Sequence, residues 1–143
     1  MKYCVAQFDE KKKPAKVKRY QAIAESAAKQ SKRSVVPHIH DIMSYKEAVN
    51  YALTCDLCLV PYENEAGMEP TEKVLADIAP EKSISVIIGP EGGFAPDEIE
   101  LARKNKMEII SLGRRILRTD TAAITMMSLI MLQSELNHKE GER

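Results

Sequence analysis

The chain has 143 residues, 44% of them hydrophobic and 29% charged, which fits one packed domain. Its formal net charge of zero argues against a protein that holds nucleic acid mainly by overall charge. The charged N-terminus gives no sign of a signal peptide, and no apolar run is long enough for a membrane span. Residues 1–33 nevertheless carry +7, with ten Lys and Arg against three Asp and Glu, so the rest carries −7. This asymmetry fits either an anionic polymer that touches one end or a solvated helix face.

Hydrophobic periodicity predicts helices and strands that alternate along the chain. A first helix is expected over 13–30, because Pro14 suits a first turn and apolar residues recur on one face. A short strand is expected over 37–42, and a capping box from Ser44 to Glu47 begins the next helix. The later elements are helices over 44–53, 70–78, 96–104 and 121–137, and strands over 57–62, 84–88 and 107–111. This alternation predicts an α/β fold, a mostly parallel sheet with helices on both faces.

Cysteines and histidines are too sparse to predict a metal site. Cys55 and Cys58 form a C-x-x-C pattern, but they fall in a strand-like run where residues three apart point to opposite faces. Together with Cys4 they are expected to be structural thiols in a reducing cytosol. His38 and His40 would share one face without a third ligand nearby, so a surface pair is expected and no metal is predicted.

The loop 88–94, Ile-Gly-Pro-Glu-Gly-Gly-Phe, lies between a β-branched run and a helical pattern. Three glycines around one proline let the backbone turn sharply and approach a ligand. The spacing matches neither a P-loop nor the dinucleotide fingerprint, and Glu91 would repel a phosphate. A sulfonium cofactor such as S-adenosylmethionine, which has a positive centre and no phosphate, fits this loop; a plain tight turn is the alternative.

A second loop, 112–122, follows the strand expected over 107–111 and opens the last helix. Guanidinium groups beside hydroxyls suggest contact with nucleic-acid phosphate, whereas helix capping plus surface arginines is the alternative. Ligands of open parallel sheets bind at the carboxyl ends of the strands, so both loops and Glu63 should meet at one edge. The polar side chains of this loop are those of Arg114, Arg115, Arg118, Thr119 and Thr121.

These two loops, with the helical stretch 18–31, resemble the RsmE-type ribosomal RNA methyltransferases of the SPOUT class. The resemblance covers nearly the whole chain in order. It implies a C-terminal trefoil knot whose loops wrap S-adenosylmethionine, a homodimer with the last helix at its interface, and a cytoplasmic location. The implied reaction methylates N3 of a uridine in 16S ribosomal RNA of the small subunit. An unrelated α/β enzyme that binds a nucleotide would need phosphate-binding lysines in the loops, and they contain none.

Typical members of that family carry an N-terminal PUA-like barrel and a further strand–helix unit before the segment matched here. Residues 1–143 are therefore expected to form a SPOUT-type methyltransferase domain shortened at its N-terminus. A cofactor-binding dimerisation module without independent catalytic activity is the alternative to an RNA methyltransferase.

The implied reaction suggests roles for residues of both loops. Arg118 is expected to stabilise the uracil anion or an adjacent phosphate, and Glu91 to orient the cofactor or to act as the base. Contacts with the substrate RNA are expected from Arg114, Arg115, Arg118 and Glu63. The expected cofactor-binding residues are Ile88, Gly89, Pro90, Glu91, Gly92, Gly93, Leu112, Gly113, Ile116, Leu117, Thr119, Thr121 and Ala122.

Overall fold

A computed structural model describes residues 1–3, 10–63 and 68–141. Contacts divide these residues into two compact units, residues 10–44 and residues 1–3 with 45–141. The expectations for Cys4, for loop residues 64–67 and for tail residues 142–143 concern positions outside this description. Among the described residues, no helix combines the length and the apolar character needed to cross a membrane.

The unit of residues 10–44 consists of a short 3-10 turn, Glu10–Lys12, the helix α1, Lys13–Gln30, and an irregular segment. Residues 37–42 do not form the predicted strand. The Gln21 side chain accepts a hydrogen bond from the Ile39 N–H at 2.8 Å and donates one to the Pro37 carbonyl at 3.2 Å. The Gln21 side chain of α1 therefore supplies the backbone hydrogen bonds that a neighbouring strand would otherwise supply. The alternating pattern of side chains in residues 37–42 could not reveal this partner.

The unit of residues 1–3 and 45–141 contains a parallel sheet in the order β2-β1-β3, which confirms the predicted parallel α/β arrangement. Leu59 of the central strand lies opposite Val86 on one side and Glu108 on the other. The elements are α2 Tyr45–Ala52, β1 Leu57–Pro61, α3 Glu69–Ala76, β2 Ile84–Val86, α4 Pro96–Lys104, β3 Glu108–Ile110 and α5 Thr119–Gly141.

Helices cover both faces of this sheet, because successive side chains of a strand point to opposite sides. On one face, Cys58 and Val60 pack in a cluster with residues of α2 and α4. On the other face, Leu59 packs with Val74 of α3 and Met126 of α5. Cys58 is thus a buried core thiol, as predicted, and its Sγ donates to the Ala52 carbonyl at 3.0 Å.

Candidate cofactor cleft

An open cleft lies where the three parallel strands end. It encloses about 580 Å³ of empty space, counted together with its opening to solvent. Its wall comes from three segments, one after each strand. The lining residues are Pro61, Tyr62, Glu63, Ile88, Gly89, Pro90, Gly93, Phe94, Leu112, Gly113, Arg115, Leu117, Thr119 and Ala122.

The loop after β2 folds back on itself over the Phe94 ring. The Gly93 N–H donates to the Pro90 carbonyl at 2.9 Å, and Gly93 takes a φ of +73°, which glycine adopts without strain. Phe94 is 7% exposed, and its ring centroid lies 6.3 Å from that of Tyr45 and 6.5 Å from that of Tyr62. An ideal Cβ on Gly89 would stand 3.0 Å from the same ring. The ring therefore packs this closely on the backbone only because residue 89 has no side chain.

Two expected cofactor contacts of this loop are not on the cleft wall. A Cβ on Gly92 would meet Cβ of Tyr3 at 2.7 Å and its carbonyl oxygen at 2.8 Å. Glycine is therefore needed at position 92 for the close approach of Tyr3. Glu91 is exposed and does not line the cleft.

The loop after β3 begins from an anchored point. The Ser111 N–H donates to the Thr71 Oγ1 at 3.0 Å, and the Thr71 hydroxyl donates to the Ser111 carbonyl at 3.0 Å. Gly113 then takes a φ of +100°, and its N–H donates to the Ser111 Oγ at 3.2 Å. The hydrogen bonds at Ser111 and the turn at Gly113 together set the direction of the second loop, which leads to the cleft wall.

The arginines of the second loop differ in position. All three arginines are exposed, but Arg115 lines the cleft whereas Arg114 and Arg118 do not. Arg118 Nε lies 3.9 Å from Oδ1 of Asp120, and the two side chains are 89% and 73% exposed, so this ion pair does little to fix the guanidinium. Ile116, at 80% exposure, and Thr121, also exposed, likewise lie off the cleft wall.

Among the described residues, the charged side chains on the cleft wall are those of Glu63 and Arg115. A Cβ on Gly93 would stand 3.5 Å from Glu63 Oε1, so this carboxylate reaches the first loop. Among the described residues the rest of the wall has no lysine, and it is apolar or backbone apart from the hydroxyl groups of Tyr62 and Thr119. Within the described ranges there is no group of three or more residues suited to hold a metal ion.

Three lining residues were missed from the sequence: Pro61, Tyr62 and Phe94. The signal for the first two was their place at the end of β1, directly before Glu63. Phe94 closes the glycine loop, where a single aromatic residue has to fill the space that the glycines leave.

A parallel α/β sheet with a cleft formed by the loops at its carboxyl edge is typical of domains that bind a small molecule. A family model described as an RNA methyltransferase domain matches residues 1–131. The chain belongs to this family, and the resemblance to the RsmE-type enzymes is confirmed.

Individual relatives agree with the family assignment. The chain is 33% identical over 135 residues to ribosomal RNA small subunit methyltransferase E of Bacillus subtilis, covering 92% of the chain and 53% of that protein. It is 35% identical over 113 residues to the protein of that name from Mesomycoplasma hyopneumoniae, covering 79% and 47%.

A solved structure shares this fold. It is a ribosomal RNA small subunit methyltransferase E from Neisseria gonorrhoeae bound to S-adenosyl methionine, 29% identical, with a TM-score of 0.70 and coverage of 93% of the chain and 53% of that protein. The chain thus spans about half the length of the relatives that it matches.

Proposed function

We propose that the chain binds S-adenosylmethionine in the cleft and serves in methylation of uridine N3 in 16S ribosomal RNA. The observation that carries the proposal is the meeting of both glycine-containing loops at the carboxyl edge of the sheet. Similarity to proteins named ribosomal RNA small subunit methyltransferase E supports the choice of RNA as substrate. The same relatives support a cytoplasmic location, where ribosomal RNA is processed.

The cleft wall fits this cofactor by its chemistry. Apolar side chains such as Leu112 and Leu117 suit an adenine ring, and the exposed backbone of the glycine loops offers donors and acceptors for it. Glu63 is the carboxylate that the described residues place on the wall, and it suits a positive sulfonium or ribose hydroxyls. When bound, S-adenosylmethionine supplies an electrophilic methyl group.

Catalysis asks the chain's own residues to handle a proton and a negative charge. Uridine N3 carries a proton and becomes a good nucleophile only when that proton leaves. Cationic groups are then needed where the uracil anion develops. Arg115 on the cleft wall and Arg118 on the exposed turn between Leu117 and Thr119 are the proposed groups, with Arg114 beside them as a phosphate contact.

For the acidic partner, geometry favours Glu63 over Glu91. Both residues are exposed, but Glu63 lines the cleft and reaches the first loop, whereas Glu91 does not line the cleft. Glu63 therefore takes the proposed role of orienting the cofactor or accepting the N3 proton. The earlier expectation for Glu91 becomes a contact with RNA or cofactor at the rim.

The same proposal includes a homodimer through α5 and a trefoil knot. Met126 and Ile130 of α5 pack toward the sheet, yet Ile124 and Leu132 are 69% and 63% exposed. Met127, Met131 and Leu136 are exposed as well, so the helix presents more apolar surface than one core contact uses. Sedimentation of Leu132→Lys against the unmodified chain tests the dimer, because a charge in that interface should shift the protein to monomer.

The first experiment is titration calorimetry with S-adenosylmethionine. Ala122→Phe should weaken binding at least tenfold, since it fills the cleft from α5, whereas Ala76→Phe, exposed on α3, serves as the matched control. Equal affinity of the two variants and the unmodified chain would contradict the cleft assignment.

The second experiment measures transfer of labelled methyl to small-subunit particles that lack the modification. Methylation at N3 blocks base pairing, so reverse transcription should stop at the modified uridine. Cofactor binding without transfer by the chain alone would favour the alternative, a cofactor-binding dimerisation module, which the coverage of about half of each relative makes worth testing.

A further inference from the structure

The unit of residues 10–44 concentrates positive charge far beyond the rest of the chain. It contains nine Lys and Arg against three Asp and Glu, which leaves +6 in a protein whose formal net charge is zero. Seven of the nine cations are exposed: Lys11, Lys12, Lys18, Arg19, Lys29, Lys32 and Arg33. We call these seven residues the basic surface.

The distribution of these charges is not what helix stability favours. Lys11, Lys12 and Lys13 lie at the start of α1, whose first turn has no acidic residue. Cations at the positive end of a helix are unfavourable, and like charges in one small unit repel each other. An anionic partner would remove both costs.

A preformed groove adjoins the basic surface. It runs between α1 and residues 38–41, and Lys18 lines it together with His38 and His40, whose ring centroids are 4.6 Å apart. The two hydrogen bonds between Gln21 and the backbone of residues 37–39 hold its floor. Glu25 and Asp41 also line the groove, so it suits the edge of a base better than a phosphate.

We infer that the basic surface binds the phosphate backbone of single-stranded RNA and that the groove beside it accepts an unpaired base. The choice of RNA rests on the proposed function, whereas the charge and the groove are properties of the unit itself. Unpaired segments present free base edges and faces, which paired RNA hides. The inference adds an RNA contact in a unit that does not contain the cofactor cleft.

The test compares two variants with the same loss of charge. The first carries Lys11→Ala, Lys12→Ala, Lys18→Ala and Arg19→Ala. The control carries Lys46→Ala, Lys73→Ala, Lys82→Ala and Lys104→Ala, all exposed cations of the other unit and none on the cleft wall. Alanine favours helix, so α1 should persist, and circular dichroism checks this.

The readout is fluorescence anisotropy of a labelled single-stranded RNA oligonucleotide over a series of salt concentrations. Each lost phosphate contact on a single strand lowers the slope of log affinity against log salt by about 0.7. Loss of two contacts or more therefore lowers the slope by at least about 1.4 and weakens binding roughly 25-fold near 0.1 M salt. The control should change affinity less than about threefold if position matters more than net charge.

Three results would overturn the inference. The two variants could weaken RNA binding equally, or the unmodified chain could bind a duplex of the same sequence more tightly than the single strand. It could also bind anionic phosphatidylserine vesicles as tightly as it binds the single strand. Calorimetry with S-adenosylmethionine separates this failure from failure of the proposed function. If the unmodified chain binds the cofactor and RNA, and the first variant binds RNA equally well, only the role of the basic surface is refuted. A chain that binds neither refutes the proposed function.

Discussion

Gly89 and Phe94 should be energetically coupled, because the ring occupies the space that a side chain at position 89 would need. In Gly89→Ala the new Cβ would stand 3.0 and 3.1 Å from two carbons of the ring. Overpacking of this kind costs about 1–3 kcal/mol, and the stiffer unfolded chain returns about 0.4–1 kcal/mol. The expected net loss of unfolding free energy is about 1–2 kcal/mol.

A double-mutant cycle tests this reasoning. Phe94→Leu removes the ring carbons in question, so Gly89→Ala should cost less in that background, with a coupling of about 1 kcal/mol. Urea unfolding followed by circular dichroism gives the four free energies.

Gly113→Ala is the matched control for the cycle. Gly113 has a φ of +100° and no atom within 4 Å of an added Cβ, so the cost of about 1–2 kcal/mol comes from the backbone alone. It should add to the cost of Phe94→Leu without coupling. An additive Gly89 cycle, or the same coupling at Gly113, would refute the packing explanation.

Three further changes probe side chains that hold together the unit that contains the cleft. Burial, with a smaller contribution from the Glu98 carboxylate, raises the pKa of Tyr45 from 10.0 to about 12. As the pH rises, the unfolded chain therefore loses the phenol proton before the folded chain does. The contribution of Tyr45 to the free energy of unfolding is complete below pH 10 and is lost between pH 10 and about 12. The free energy of unfolding of Tyr45→Phe should accordingly fall less over this range in unfolding experiments. Thr71→Val removes both hydrogen bonds with Ser111 and should cost about 1–3 kcal/mol in urea unfolding, whereas an unchanged midpoint would contradict their role as an anchor. The Ser83 hydroxyl holds the pKa of Asp56 below its ordinary value, so Ser83→Ala should raise that pKa in an NMR titration.

The sequence predicted the central sheet because three strands had clear neighbours in the pattern. Apolar runs near 57–62, 84–88 and 107–111 each lie between helical segments, and the structure places β1, β2 and β3 inside these ranges. The strand predicted over 37–42 was wrong for a physical reason. Its alternation is real, but the backbone at Ile39 bonds to the Gln21 side chain, and no local pattern specifies that partner.

The edge of the sheet where the cleft lies was predictable for a similar reason. Parallel strands bring the loops that follow them together, so positions after β1, β2 and β3 had to be neighbours. The sequence could not show which side chains of those loops turn inward. Arg115 and Arg114 are adjacent in sequence, yet one lines the cleft and the other does not.

The glycines of the first loop illustrate why a ligand-like pattern needs a structure. Gly89 makes room for the Phe94 ring, Gly92 makes room for Tyr3, and Gly93 supplies the positive φ of the turn. Each of the three therefore has a structural reason that involves the chain alone. Their combined effect nevertheless favours a ligand site. The Phe94 ring is buried, and the backbone of Gly89 and Gly93 lies on the cleft wall. The loop is best understood as a packed turn whose shape leaves a site, so changes at Gly92 should act on stability before they act on cofactor affinity.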